Sequence, residues 1–216
     1  MQGSTVAALL VTERAAERER FVDFFATDRE ILPSVAGSAE AALSSLDATD
    51  IDCVVSEAPR AERALSVLTA ARTVRATVAT VLLTSDVPNS RSDGVADIVL
   101  RRTAAKTDLP RLGEAIRTVT GVAEIDRSGG NDWRFLGRFD WAESPDVGTA
   151  IVTALAGAIG RDALEIDPLY DSVDPGALAQ LVGSDDSGPV VVQFPLAEYV
   201  VSASAAGPVW YRPEVA

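Results

Sequence analysis

The chain has 216 residues, 47% of them hydrophobic and 24% charged, which is enough apolar material for one large or two small domains and too much for wholesale disorder. A net charge of −13 argues against non-specific nucleic-acid binding, because phosphate contacts need cations. With no histidine and one cysteine, the chain has no histidine general base, no Ser-His or Cys-His nucleophile pair, no histidine zinc site and no intrachain disulfide.

The first half alternates strands with helices. Val6 to Val11 is an apolar run that predicts a buried strand. Arg14 to Ala26 predicts a helix, with Phe21, Phe24 and Phe25 on one face and Glu17, Arg18 and Arg20 outside. Ile31 to Ala36 is a short strand. Ser38 is placed to cap a helix over Ala39 to Leu46, whose Ala39, Ala42, Leu43 and Leu46 recur at helical spacing. Asp52 to Ser56 is the next strand, carrying Cys53 as a small buried residue and running into Glu57. A helix over Arg60 to Arg72 carries Ala64, Leu65 and Leu68. Val78 to Thr84 and Asp97 to Leu100 are two more strands, and Asp108 caps a helix lined by Leu109, Leu112, Ile116 and Val119. This alternation predicts a doubly wound α/β fold with a parallel five-stranded sheet covered on both faces.

From Gly121 the pattern breaks. Residues 126–132 read Asp-Arg-Ser-Gly-Gly-Asn-Asp, a turn-rich linker, and all three tryptophans follow it. The expected division is residues 1–121, a linker at 122–132 and a smaller α+β domain at 133–216. In the second domain, Trp133 to Trp141 alternates aromatic residues like a strand. Ser144-Pro145 reads as N-cap and first residue of a helix whose Val147, Ile151, Leu155 and Ile159 form one stripe. Asp174-Pro175 opens a short helix with Leu178 and Leu181. Strands are expected over Val190 to Phe194, Tyr199 to Ser204 and Val209 to Tyr211, the last two joined by a turn at Ala205-Ala206-Gly207-Pro208. The expectation is two helices on a three-stranded antiparallel sheet.

Eighteen of the 19 cations are arginine, and Lys106 is the one lysine. An acidic, lysine-poor, Ala- and Val-rich composition points to a halophilic archaeon, where carboxylates keep a surface hydrated in molar salt. The opening Met1-Gln2-Gly3-Ser4-Thr5 lacks a basic region and no apolar run reaches membrane length, so a cytoplasmic protein is expected.

Function collects where strands of an open α/β sheet end. Glu57, Thr84 and Arg101-Arg102 follow three neighbouring strands, and Thr12-Glu13 follows the first. An acid, a hydroxyl and a cation together suit phosphate handling. Asp167, Asp171 and Asp174 invite a metal reading, but their spacing lacks the glycine and terminal glutamate of a calcium loop, and capping accounts for them. No metal and no cofactor is expected. Trp133, Trp141 and Trp210 are read as core rather than as a base-stacking surface.

In order and spacing, residues 6–121 resemble a response-regulator receiver domain. That resemblance implies an acidic pair after the first strand, an acceptor aspartate after the third, a hydroxyl after the fourth and a lysine after the fifth. This chain departs from it at each charged position: Thr12 and Glu13 stand for the acidic pair, Glu57 for the acceptor and Arg101 for the lysine, while Thr84 keeps the hydroxyl. Losing a carboxylate weakens a Mg²⁺ site. Moving a nucleophile by one methylene can cost roughly 10²-fold in rate. A degenerate receiver that takes no phosphate is expected, with Glu57 either a solvated carboxylate or a permanent charge near Thr84 and Arg101 that approximates the phosphorylated state.

The second half resembles the halobacterial output domain of the first type, which follows receiver domains in haloarchaeal proteins. The resemblance runs from about Ser144 to Pro213 and is most specific over residues 164–178, LEIDPLYDSVDPGAL. Together the two resemblances imply a non-enzymatic signal-transduction protein with a protein partner or a homodimer, no membrane attachment and little scope for direct nucleic-acid binding. The alternative is a transcription-associated regulator acting on DNA directly or through a partner. No helix is basic enough for a recognition helix, which counts against direct binding.

Overall fold

The computed structural model describes residues 5–58, 60–85, 95–102, 106–122, 133–142, 146–166, 168–182 and 190–214. The chain forms two compact units, residues 5–123 and 124–216.

The first unit is built on strands β1 (Val6–Val11), β2 (Ile31–Ala36), β3 (Cys53–Glu57), β4 (Ala79–Thr84) and β5 (Ile98–Arg101). All four pairings are parallel and the order is β2-β1-β3-β4-β5. This is the doubly wound, flavodoxin-like order. Strands β3 and β4 are buried at every position, as central strands covered on both faces must be. Pro33 sits in β2, an edge strand, where a missing amide donor is tolerated.

Helices α1 (Ala15–Phe25), α2 (Ala39–Ala48), α3 (Ala61–Val74) and α4 (Leu109–Thr120) cover the sheet. Ala42 and Leu46 of α2 and Ala64, Leu65 and Leu68 of α3 pack with Leu9, Val11, Val54 and Leu82. On the other face Phe25 of α1 lies against Gly113 of α4, so close that a methyl at Gly113 would sit 3.1 Å from the ring. Both expected caps form: the Ser38 hydroxyl accepts from Ala41 N–H and the Asp108 carboxylate from Arg111 N–H. Two expectations on α1 are corrected. Phe24 is 45% exposed, leaving Phe21 and Phe25 as the core pair, and Glu17 is buried rather than outside. The linker expected at 126–132 lies outside the described residues.

Among its described residues the second unit carries four strands rather than the expected three: β6 (Arg134–Arg138), β7 (Val191–Leu196), β8 (Tyr199–Ser204) and β9 (Pro208–Pro213), in the antiparallel order β6-β9-β8-β7. The Trp133 to Trp141 stretch supplies the added strand, which carries a bulge between Phe135 and Gly137. Helices α5 (Val147–Ile159) and α6 (Pro175–Val182) pack on this sheet, with Val147, Ile151, Leu155, Leu178 and Val182 meeting Leu136, Phe194, Val201 and Val209. The cap of α5 is Asp146, whose carboxylate accepts from Thr149 N–H; the Ser144-Pro145 start lies outside the described residues. On α6 the inward pair is Leu178 and Val182, four apart, while Leu181 is 46% exposed. Trp133, Trp141 and Trp210 are all buried, and Trp141 Nε1–H donates to Ser204 C=O at 2.8 Å, so none of the three offers a stacking face.

The β8–β9 turn depends on Gly207. Its φ is +105°, and a Cβ there would lie 2.6 Å from Phe139 C=O, a backbone atom that cannot swing aside. Gly207→Ala is expected to cost about 2–3 kcal/mol, the sum of strain and clash, read as a lower melting temperature in molar KCl. A drop below about 0.5 kcal/mol, the size of an ordinary surface change, contradicts this account of the turn.

Candidate functional site

The carboxyl ends of β1, β3, β4 and β5 gather the residues singled out in the sequence. Glu57 is the last residue of β3 and pairs in register with Leu83, one residue before Thr84. Thr84 in turn pairs with Arg101. Arg102 N–H donates to Thr84 C=O at 2.7 Å, which fixes where the Arg102 side chain starts.

Glu57 is not a solvated carboxylate. It is 7% exposed, and its Oε1 accepts from two guanidinium groups, Arg14 Nη2 and Arg102 Nη1, the latter at 2.7 Å. The cation that reaches it after β5 is therefore Arg102, while Arg101 is exposed. The other cation, Arg14, is the N-cap residue of α1 and was not expected here. Glu57 Oε2 is buried and accepts no hydrogen bond among the described residues.

Arg14 also stands 3.8 Å from Glu17, the buried glutamate of the first turn of α1. Glu17 accepts from Arg20 at 3.0 Å and from Thr107 N–H at 3.3 Å, beyond β5. Burial works to raise the Glu17 pKa, but its Thr107 hydrogen bonds and the Arg14 and Arg20 charges outweigh that and hold it below the ordinary glutamate value. The result is a chain of charges, Arg102–Glu57–Arg14–Glu17–Arg20, that ties β3 and β5 to α1.

Glu13 stands apart from this chain, and Thr12 meets it through the Arg14 backbone. Thr12 is buried, and its Oγ1 accepts from Arg14 N–H at 3.3 Å while its carbonyl accepts from Arg18 Nη1 at 2.6 Å. Glu13 is 69% exposed and faces Arg63 of α3 at 3.4 Å. Thr84 is buried.

A divalent metal does not fit here. Of the residues after β1, Thr12 offers no carboxylate and Glu13 is turned toward Arg63. The remaining carboxylate, Glu57, already carries two positive groups that would repel a Mg²⁺ ion. Among the described residues no group of three or more His, Cys, Asp or Glu side chains is placed to hold a metal. Asp174 serves as a cap, accepting from Ala177 N–H at 2.9 Å, and no metal reading is needed for it.

No curated protein matches the chain. Among solved structures, the chain is similar to a response regulator of Thermotoga maritima in complex with Mg²⁺ and BeF, at 19% identity over 53% of this chain and 99% of that one, with a TM-score of 0.42. A chemotaxis protein of Vibrio cholerae is 15% identical over 53% of this chain and 98% of its own, with a TM-score of 0.45. A CheY-like receiver domain from Methanospirillum hungatei is 16% identical over 56% and 96%, with a TM-score of 0.44. Residues 143–213 match the family model Halobacterial output domain 1, so the flavodoxin-like first unit is followed by a second unit similar to that family.

Proposed function

We propose that this chain is a non-enzymatic, cytoplasmic signal-transduction protein of a halophile, in which a pseudo-receiver is coupled to an output module that engages a protein partner. The observation that carries the reading is the ion-paired state of Glu57. In a working receiver the acceptor oxygen must be open to an incoming phosphoryl group and a metal must neutralise the developing charge. Here one oxygen of the acceptor-position residue is occupied by Arg14 and Arg102, and the other is buried. The charge that phosphorylation would bring is already present and already neutralised from within. A switch of this kind holds one state and passes regulation to whatever binds the second unit.

The family match over residues 143–213 supports an output role for that unit. The buried tryptophans and the net charge of −13 favour a protein partner over nucleic acid.

Acetyl phosphate with Mg²⁺ is expected to leave the protein unlabelled in molar KCl, as followed by intact mass. An adduct that maps by peptide mass spectrometry to Glu57 or its neighbours contradicts the pseudo-receiver reading.

A further inference from the structure

Arg14 is fixed at its backbone, and its side chain reaches across the sheet edge. Its N–H donates to Thr12 Oγ1 at 3.3 Å, and its C=O accepts from Glu17 N–H at 3.0 Å and Arg18 N–H at 3.2 Å. Its guanidinium lies between two buried glutamates from different elements, Glu57 at the end of β3 and Glu17 on α1. One nitrogen, Nη2, faces both: it donates to Glu57 Oε1 and stands 3.8 Å from Glu17 Oε1. The two acids share a cation, and the contact with Glu57 is the closer one.

Each acid holds a different piece of backbone. Glu57 takes Arg102 Nη1 at 2.7 Å, and Arg102 N–H donates to Thr84 C=O at 2.7 Å, so this acid secures the end of β5. Glu17 serves the start of α4. Its Oε2 accepts from Thr107 N–H at 3.3 Å, while Arg20, which donates to both Glu17 oxygens at 3.0 Å, reaches Thr107 C=O at 3.4 Å. Thr107 is buried and precedes Asp108, the cap of α4, so both of its backbone polar groups are met by side chains of α1. The Thr107 bond to Glu17 is longer than either bond from Arg20, and it is the first to give when the carboxylate turns.

A cation shared by two acids moves toward the one with more charge. With Glu57 ionised, Arg14 is held at the end of β3 and Glu17 keeps its grip on Thr107. With Glu57 neutral, the same nitrogen closes on Glu17, and the carboxylate turns to meet it.

We propose that Arg14 is a positioning residue through which the permanent charge of Glu57 fixes the start of α4. The proposal rests on the pseudo-receiver reading and deepens it, because it names the element that the permanent charge holds in place.

The test measures amide hydrogen exchange by NMR on the full isotope-labelled chain in molar KCl. The Glu57 and Glu17 side chains are 4% and 6% exposed, and buried charges are screened far less than surface ones at that salt. Two amides are compared. Thr107 N–H bonds Glu17, and Arg75 N–H bonds Ala71 C=O at the end of α3, where it reports general loss of stability. Relative to Arg75, Thr107 in Glu57→Gln is expected to exchange about threefold faster or more. In an Arg14→Met background the same substitution is expected to leave that ratio unchanged, because the shared cation is gone. Equal acceleration in both backgrounds overturns the role of Arg14, and so does an unchanged ratio in the single variant. If Glu57→Gln does not hold its fold, Glu57→Asp, which keeps the charge and draws the acceptor back by one methylene, takes its place with the same expectation and the same overturning results. The acetyl phosphate experiment is decided separately: labelling at Glu57 overturns the pseudo-receiver reading, whereas an exchange ratio that does not move overturns the coupling alone.

Discussion

Glu57→Gln is expected to destabilise the folded protein by about 2–4 kcal/mol in molar KCl. Removing one partner of a buried ion pair typically costs about 3–5 kcal/mol, because the charge left behind is unpaired. The lower end applies here, since the Arg14 and Arg102 side chains are 36% and 19% exposed and can partly regain water. Gln keeps the oxygen that both guanidinium groups use but removes its charge, so both hydrogen bonds lose their charge assistance, and Arg14 keeps Glu17 at 3.8 Å. Arg14→Gln is the companion measurement. It leaves Glu57 with Arg102 alone, and a double-mutant cycle between positions 14 and 57 is expected to return a coupling above about 1 kcal/mol. Chemical denaturation of the four proteins measures both quantities. A change below about 0.5 kcal/mol on Glu57→Gln, with no coupling to Arg14, would mean that the carboxylate behaves as an ordinary surface charge.

This arrangement shows where reading the sequence stops. The end of β3 was legible because an apolar run stops at a carboxylate, and period and turn chemistry are local signals. The partners of Glu57 were not. Arg14 lies 43 residues away along the chain, at the N-cap of α1, where no local pattern says which way its side chain reaches. Arg102 and Arg101 are adjacent and chemically identical, and only the register of β5 against β4 decides which one turns toward Glu57. Glu17 was misplaced for a related reason. Helical periodicity reports which face meets the sheet, and it is blind to Thr107, a residue 90 positions on that covers Glu17 from above. The five parallel strands needed no such information, since burial on both faces writes continuous apolar runs. The fourth antiparallel strand was half-legible: Gly137 and its bulge break the alternation of β6, and pairing with β9 restores what the local pattern hides.

The opposite end of β3 carries a different kind of carboxylate. Asp52 precedes the strand, and its Oδ2 accepts from Ala7 N–H at 2.8 Å. Burial raises its pKa from 3.8 to about 7, against the opposing pull of that hydrogen bond and of Arg75. An acid with a raised folded-state pKa binds its proton more tightly in the folded chain than in the unfolded one. Between pH 4 and pH 7 the unfolded chain has released the proton and the folded chain still holds it, so stability falls as pH rises through that window and levels off above it. Below pH 4 both states are protonated and the penalty vanishes. Asp52→Asn keeps an oxygen for Ala7 N–H and removes the titration. The variant is therefore expected to match the parent near pH 4 and to exceed it by on the order of 2–4 kcal/mol at pH 8, from about three pKa units at 1.36 kcal/mol each, taken as an upper bound. Denaturation of the two proteins across this range, in molar KCl, isolates the site, because the other carboxylates titrate alike in both and cancel in the difference. A difference that stays flat from pH 4 to pH 8 would mean that Asp52 is ionised in the folded protein, with Arg75 rather than a proton compensating its charge.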